Sequence, residues 1–329
     1  MNICEKILQK GVFLISIDLE MMWGFNLELL ENNRSIKSYL KLVLKSREAI
    51  SYLLEILEKY EIPATWAVVG HLMLDRCEKV EGVPHPNMPR PKINGSDWYS
   101  LDPCSSVKDE PFWYAPDVIA SILDSEITHE IASHSFSHVD FSRISAEVAE
   151  AELRESKKLI EDICGVTPKT FIFPKSRFGH FNILKTNGFI AFRGKSSIRD
   201  HKLTRYPFID KVQNYIKIII NKNNSSLILL DQPKLEQCLW NIPGSLLFQE
   251  SSWMNAYSLY KIATENIKKC LINKAIFHII LHDYSLVSSK SQKAFLKVIE
   301  LVSSLKRKGI IEILTIGNLA MILSGYRDE

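Results

Sequence analysis

Val12-Phe-Leu-Ile-Ser-Ile-Asp18 is a short apolar run, rich in β-branched residues, that ends in an acid, and Glu20 follows two positions later. It reads as a strand whose last side chains are polar. Working outward, residues 36–60 form a long amphipathic helix, with Leu40, Val43, Leu44, Arg47, Ile50, Leu54 and Leu57 at helical spacing. Strands are expected at 64–70, 128–133, 170–173 and 189–192, and a late one at 275–282. A helix at 145–164 begins at Ser145, a plausible cap, and carries Glu147, Glu150, Glu152 and Glu155 along its solvated side. A further helix spans about 289–308, and a last strand lies at 312–314. Helices placed between apolar strands mean βα units and a parallel sheet, so the class is α/β.

Two stretches interrupt this rhythm. Residues 75–116 are rich in proline and aromatics, among them Pro84, Pro86, Pro89, Pro91, Trp98, Tyr99, Trp113 and Tyr114. A loop this long in a compact domain is functional or disordered, and the aromatics favour function. Residues 199–255 form a second irregular insertion, with strand-like runs at 216–220 and 227–230. No repeat or linker divides the chain, so the expectation is a single catalytic domain over 1–329.

Composition narrows the classes. Charge is nearly balanced, with 41 Lys+Arg against 38 Asp+Glu, which offers no basic field for a nucleic-acid partner. No G-x-G and no G-x-S-x-G occurs, which removes the dinucleotide fingerprint and the serine-hydrolase elbow. Cys4, Cys77, Cys104, Cys164, Cys238 and Cys270 are scattered, as reduced thiols of a cytoplasmic protein would be, and no pair reads as a zinc ribbon. No apolar run approaches the ~18 residues of a membrane span. No signal-type leader precedes the first strand, so a cytoplasmic location is expected.

Four polar clusters sit at carboxyl ends of separate strands, the end that forms the functional crevice of parallel α/β sheets. Asp18 and Glu20 are two apart, so on an extended chain both carboxylates share a face; a helix cap and a solvated acid is the plainer reading. His134-Ser-Phe-Ser-His138 places two imidazoles four residues apart, able to converge on one metal if the chain bends; alone, the pair could equally be a polar surface turn. In Phe173-Pro-Lys-Ser-Arg-Phe-Gly179-His180, Lys175 or Arg177 could hold a carboxylate, or the segment is an ordinary turn. His282 ends the late strand of His278-Ile-Ile-Leu-His282-Asp283, where a structural histidine is the commoner case. Four such clusters together are harder to dismiss than any one.

In chain order, Ile17-Asp18-Leu19-Glu20, His134-Ser135-Phe136-Ser137-His138, Lys175-Ser176-Arg177-Phe178-Gly179 and Leu281-His282 resemble the motifs of the polysaccharide deacetylase (NodB-homology) family of metal-dependent carbohydrate deacetylases. That family carries an acidic motif after the first strand, H-[ST]-x-x-H, an R-x-P-[YF]-G-like turn and a late L-x-H. The resemblance runs from about residue 11 to 320. It implies a distorted (β/α)7 barrel and one divalent metal, zinc, held by Glu20, His134 and His138. Asp18 would be the general base and His282 the general acid. Leu19 stands where the family's second aspartate usually does, so the roles carry over in the acid–x–acid form. Lys175 aligns with the arginine that holds the base, and Arg177 with the proline after it. The aspartate that orients the family's histidine has no counterpart in the sequence. The implied reaction removes an N-acyl group from an amino sugar or glycan, with Trp98, Tyr99, Trp113, Tyr114 and Arg177 as substrate contacts. The alternatives are a metal-independent amide hydrolase on the same barrel and a catalytically decayed glycan-binding protein.

Overall fold

The computed structural model describes residues 9–32, 35–195, 230, 232–252 and 254–325 of the 329-residue chain. Of the strand-like runs expected at 216–220 and 227–230, all but Leu230 lie outside them. The principal strands in chain order are β1 (Gly11–Leu19) and β2 (Thr65–Val68), then, beyond the short hairpins β3–β4 (Lys79–Val80, Val83–Pro84) and β5–β6 (Lys92–Ile93, Ser96–Asp97), β7 (Glu130–Ser133), β8 (Thr170–Phe171) and β9 (Ala191–Gly194). They continue as β10 (Lys234–Glu236), β11 (Leu239–Pro243), β12 (Leu246–Leu247), β13 (Ile276–His282) and β14 (Ile311–Leu314). One ten-stranded sheet runs β10-β11-β9-β8-β7-β2-β1-β13-β12, with β14 also on β1. Its neighbours are parallel except β10 and β11. β1 is central: β13 lies along one edge, while β14 pairs with Gly11–Leu14 and β2 with Ser16–Leu19 on the other. The sheet curls into a half-barrel, the deformed (β/α) barrel that the sequence led us to expect.

Helices α1 (Asn26–Asn32), α2 (Lys37–Lys59), α3 (Pro116–Leu123), α4 (Ala146–Cys164), α5 (Phe181–Thr186), α6 (Ala256–Asn273), α7 (Ser289–Arg307) and α8 (Ile316–Leu323) complete the element list. The long helices α2, α4 and α7 stand where the apolar periodicity placed them. Ser145 caps α4 by accepting from Val148 N–H, and α6 was not anticipated. None of the described helices is long and apolar enough to cross a membrane.

All nine residues of β1 are buried, which is why its sequence is a continuous apolar run rather than an alternation. The period of two still sorts its side chains. Phe13, Ile15, Ile17 and Leu19 join the large core under the helices. Val12 and Leu14 join a smaller cluster with Ala191, Trp240, Ile242, Ile276 and the α8 residues Ile316, Leu319 and Leu323. That second cluster fills the inside of the half-barrel. Ser16 and Asp18 continue the inward set of β1, as His278 and His282 do on β13 and Arg193 on β9. Inward-facing side chains thus change from apolar to polar along each strand, and the change marks the site.

Candidate active site

β1 ends by placing Asp18 beside His282 of β13, its register partner. Glu20 follows in the turn out of the strand. Its backbone N–H and that of Met21 point at Asp283 Oδ2, at 3.4 and 2.7 Å. Burial, with the Glu20 charge nearby, pushes the Asp283 carboxyl up to about 8. Gly24 is required here: a Cβ on it would lie 2.3 Å from Glu20 Oε2.

The histidine motif leaves β7 as a tight bend, with Ser135 and His138 at positive φ (both 63°). Ser135 Oγ accepts from His138 N–H at 2.9 Å. His134 Nδ1 donates to the Ile172 carbonyl at 2.6 Å, which leaves its Nε2 free as a ligand atom. Nε2 of His134 and Nε2 of His138 each lie 3.1 Å from Glu20 Oε1. His138 Nδ1 has no hydrogen-bond partner among the described residues, so that ring is oriented from its Nε2 end. Burial pushes the Glu20 carboxyl up, but the histidines around it outweigh burial and hold it well below the usual range. Burial lowers His138 and favours its neutral form. Two imidazole nitrogens and one carboxylate oxygen converging from three side chains form the donor set that zinc and similar ions take, with a position left open. The residues present therefore fit a divalent cation.

Asp18, Glu20 and His282 form an overlapping group that could also ligate. Asp18 is instead claimed by Arg193, whose two terminal nitrogens each lie 2.6 Å from one carboxylate oxygen. Burial pushes Asp18 up, and the Arg193 charge and hydrogen bonds bring it below its ordinary value. Arg193 also donates to Ser16 Oγ, which donates in turn to His278 Nε2 at 2.8 Å. Burial drives His278 down to about 3, so it stays neutral. His282 Nε2 stands 3.9 Å from both Asp18 Oδ2 and Glu20 Oε1. Its Nδ1 lies 3.2 Å from Gln249 Oε1, and its ring stacks on Tyr284 at 5.0 Å.

Several expectations need correction. Lys175 does not hold Asp18: its Nζ donates to the Gly24 carbonyl at 2.5 Å and pairs with Glu28 at 2.9 Å. It lines the rim of the cavity instead. Arg193 does the holding, one residue past the end of the strand expected at 189–192. Arg177 is not among the cavity-lining residues and pairs with Asp140, two residues past His138. Trp98, Tyr99, Trp113 and Tyr114 are buried and turned away from the cavity. Trp98 and Tyr99 brace the histidine bend, whereas Trp113 and Tyr114 pack against His71. Trp98 Nε1 donates to the Ser137 carbonyl at 3.1 Å, and Tyr99 Oη donates to Glu152 at 2.9 Å. Glu152, expected on the solvated side of α4, is fully buried and accepts from Ser137 N–H and Oγ. Helical spacing could have found it, because Val148, Glu152, Ser156 and Ile160 all lie on the buried stripe of α4. Gln249, the group beside His282 Nδ1, is marked by nothing in its local sequence.

A cavity of about 530 Å³ opens onto Asp18, Glu20 and His282. Its walls mix polar groups (Lys175, Gln249, Glu250, Ser251) with apolar ones (Leu246, Leu247, Met254, Tyr284). His134 and His138 lie behind Glu20 and are almost fully buried.

Residues 44–186 match the family model for polysaccharide deacetylases. The fold matches a Mycobacterium smegmatis protein described as a polysaccharide deacetylase at TM-score 0.61 and 12% identity, over 96% of this chain and 91% of that one. A Pseudomonas aeruginosa PAO1 protein described in the same way matches at 0.61 and 11%, over 95% and 91%. The Puue allantoinase matches at 0.61 and 12%, over 95% and 90%. No curated protein matches this chain by sequence. The half-barrel is consistent with a deformed NodB-type (β/α) barrel. Across residues 44–186 the chain is similar to polysaccharide deacetylases, and its fold is similar to theirs over almost its whole length.

Proposed function

We propose that this protein is a metal-dependent deacetylase that removes an N-acyl, acetyl-like group from an amino sugar in glycan or surface-polysaccharide metabolism. The observation that carries the reading is the convergence of Glu20, His134 and His138 beside an Arg193-held Asp18, at the floor of an open cavity. A divalent cation, zinc by the donor set, would polarise the scissile amide carbonyl and make water acidic enough to attack. The chain's own residues supply the rest. Asp18, kept ionised by Arg193, takes the proton from the attacking water. His282 lies across the same space from Asp18 and gives a proton to the departing amine. Gln249 accepts from His282 Nδ1 and keeps Nε2 turned toward the cavity. The cavity walls, part polar and part apolar, suit a sugar ring, which has polar edges and apolar faces.

The test is metal analysis beside acetate release from a panel of N-acetylated amino sugars. Wild-type protein should release acetate, and His134→Ala with His138→Ala should lose both the activity and the ion held at Glu20. Undiminished activity in that double variant would refute the assignment.

A further inference from the structure

A second group of metal-ligating side chains lies outside the catalytic centre, in the 75–116 insertion and the turn before it. His71, Cys77, His85 and Asp102 bring one ligand atom each to within 4.8 Å of one another. His71 Nε2 and His85 Nε2 are 3.1 Å apart, and both reach Asp102 Oδ2, at 3.0 and 2.6 Å. Cys77 Sγ is 3.6 Å from the same oxygen. A tetrahedron with bonds of 2.0–2.3 Å to nitrogen, oxygen and sulfur has edges of about 3.3–3.6 Å. The four atoms thus sit near the corners of one coordination sphere, and need to move outward by only about a few tenths of an ångström.

Hydrogen bonding alone gives no reason for this convergence. Two imidazole nitrogens and a thiol crowd one carboxylate oxygen, although Asp102 has a second oxygen with donors of its own. Oδ1 accepts from Cys104 N–H at 2.9 Å and from Tyr114 Oη at 3.4 Å, so the carboxylate is turned to aim Oδ2 at the others. The Trp113 carbonyl lies 3.3 Å from His71 Nδ1 and can take its proton, the tautomer that frees Nε2 for a metal. In that tautomer the Trp23 indole, which also lies 3.2 Å from Nδ1, donates to the same carbonyl at 3.4 Å. The surroundings are closed: the side chains of His71 and Asp102 are fully buried and that of His85 is 11% exposed.

We propose that His71, Cys77, His85 and Asp102 form a second, structural zinc site that staples the insertion to the barrel. One thiolate, two imidazoles and one carboxylate suit zinc, whereas magnesium and calcium take oxygen ligands throughout. Four protein ligands close the coordination sphere, as in structural sites. The insertion has reason to need it. Its regular structure is two hairpins of two-residue strands and one short 3-10 turn, Trp98–Leu101. The assignment does not depend on the catalytic reading.

The full-length His134→Ala/His138→Ala variant separates the two sites. Loaded with zinc, it should keep one ion per chain, where wild type holds two. Loaded with cobalt(II), it should show tetrahedral d–d absorption and a sulfur-to-metal charge-transfer band, because Cys77 is the only thiol in either site. Adding Cys77→Ser should abolish that band, and adding Cys104→Ser should leave it. Should the Cys77 variant not fold, wild type serves: iodoacetamide should label Cys77 rapidly only after chelation, as read by peptide mass mapping. A double variant free of metal, a cobalt form without the sulfur band, or equal labelling of Cys77 with and without chelator would overturn the proposal. Failure of the catalytic reading looks different: wild type and double variant would then hold the same single ion.

Discussion

Glu20, His134 and His138 come from two strand ends and face a cavity, whereas His71, Cys77, His85 and Asp102 surround a point inside one insertion and its preceding turn. The first set offers three ligand atoms, and the neighbouring carboxylate of Asp18 is bound to Arg193 instead. The second offers four, one of them sulfur, with the side chains of His71 and Asp102 fully buried. Three ligands with an open position suit chemistry, and four in a closed shell suit architecture. The two are mechanically joined. His71 N–H donates to the Phe136 carbonyl at 2.8 Å, in the middle of the histidine bend, and the Trp23 indole lies between His71 and the turn that carries Glu20. A closed site that holds one wall of an open one lets the open one keep its vacancy without losing its shape.

The sharpest way to break this contrast is Asp18→Asn. If Asp18 is a base and not a ligand, the variant should retain metal at both sites and lose ~10²–10⁴-fold in kcat. Loss of the Glu20-site ion, measured by metal analysis, would instead make Asp18 a ligand.

Arg193→Met comes next. In the wild type, Arg193 outweighs burial and holds Asp18 below its ordinary value. The pair's stabilisation is therefore present above the ordinary aspartate range and fades as pH falls through the lowered value. Without Arg193, burial alone acts and raises Asp18, so the base is protonated at higher pH. The acidic limb of the pH–rate profile should move upward, and stability should fall by about 3–5 kcal/mol at neutral pH, as when one partner of a buried pair is removed. An unmoved limb would show that Asp18 is not the titrating base.

Glu152→Ala probes the join between the regions. It strips the acceptor from Ser137 N–H, Ser137 Oγ and Tyr99 Oη, and should cost about 1–3 kcal/mol in denaturant unfolding. Metal affinity at the Glu20 site should weaken while Cys77 stays protected from alkylation. Equal loosening of both sites would mean that they are one unit.

Lys175→Met should do least. Its partner Glu28 is partly exposed, so a stability change of about 0–1 kcal/mol is expected. The acidic limb should stay where it is, in contrast to Arg193→Met, and a KM change would report its place on the cavity rim.

Much of the barrel was legible because burial on both faces writes β1 and β13 as largely apolar runs, and because α2, α4 and α7 repeat at helical spacing. The Glu20–His134–His138 cluster was legible for the same reason: each member follows a readable strand end. Arg193 was not. Three strands separate its strand, β9, from β1 in the sheet order, and only the curl of the half-barrel carries its side chain across to Asp18. Local pattern carries no information about curl. The four aromatics were misread because ring content alone does not say which way a ring faces. Trp98 and Tyr99 face inward to satisfy Ser137 and Glu152, neither of which looks like a core residue. Cys77 was dismissed for want of a second cysteine nearby, although its partners are histidines and an aspartate.

The spans of chain that the two clusters close differ as much as their ligands do. His71 and His85 are 14 residues apart and His85 and Asp102 are 17, while Glu20 reaches His134 across 114 and Asp18 reaches Arg193 across 175. Closing a loop costs about 0.6 kcal/mol more for each doubling of its length, so the catalytic contacts carry roughly 2 kcal/mol more entropy each than the local ones. Contacts of low sequence separation also form early in folding. The insertion is thus suited to gather while the barrel is still assembling, and the catalytic centre to be among the last features the chain completes.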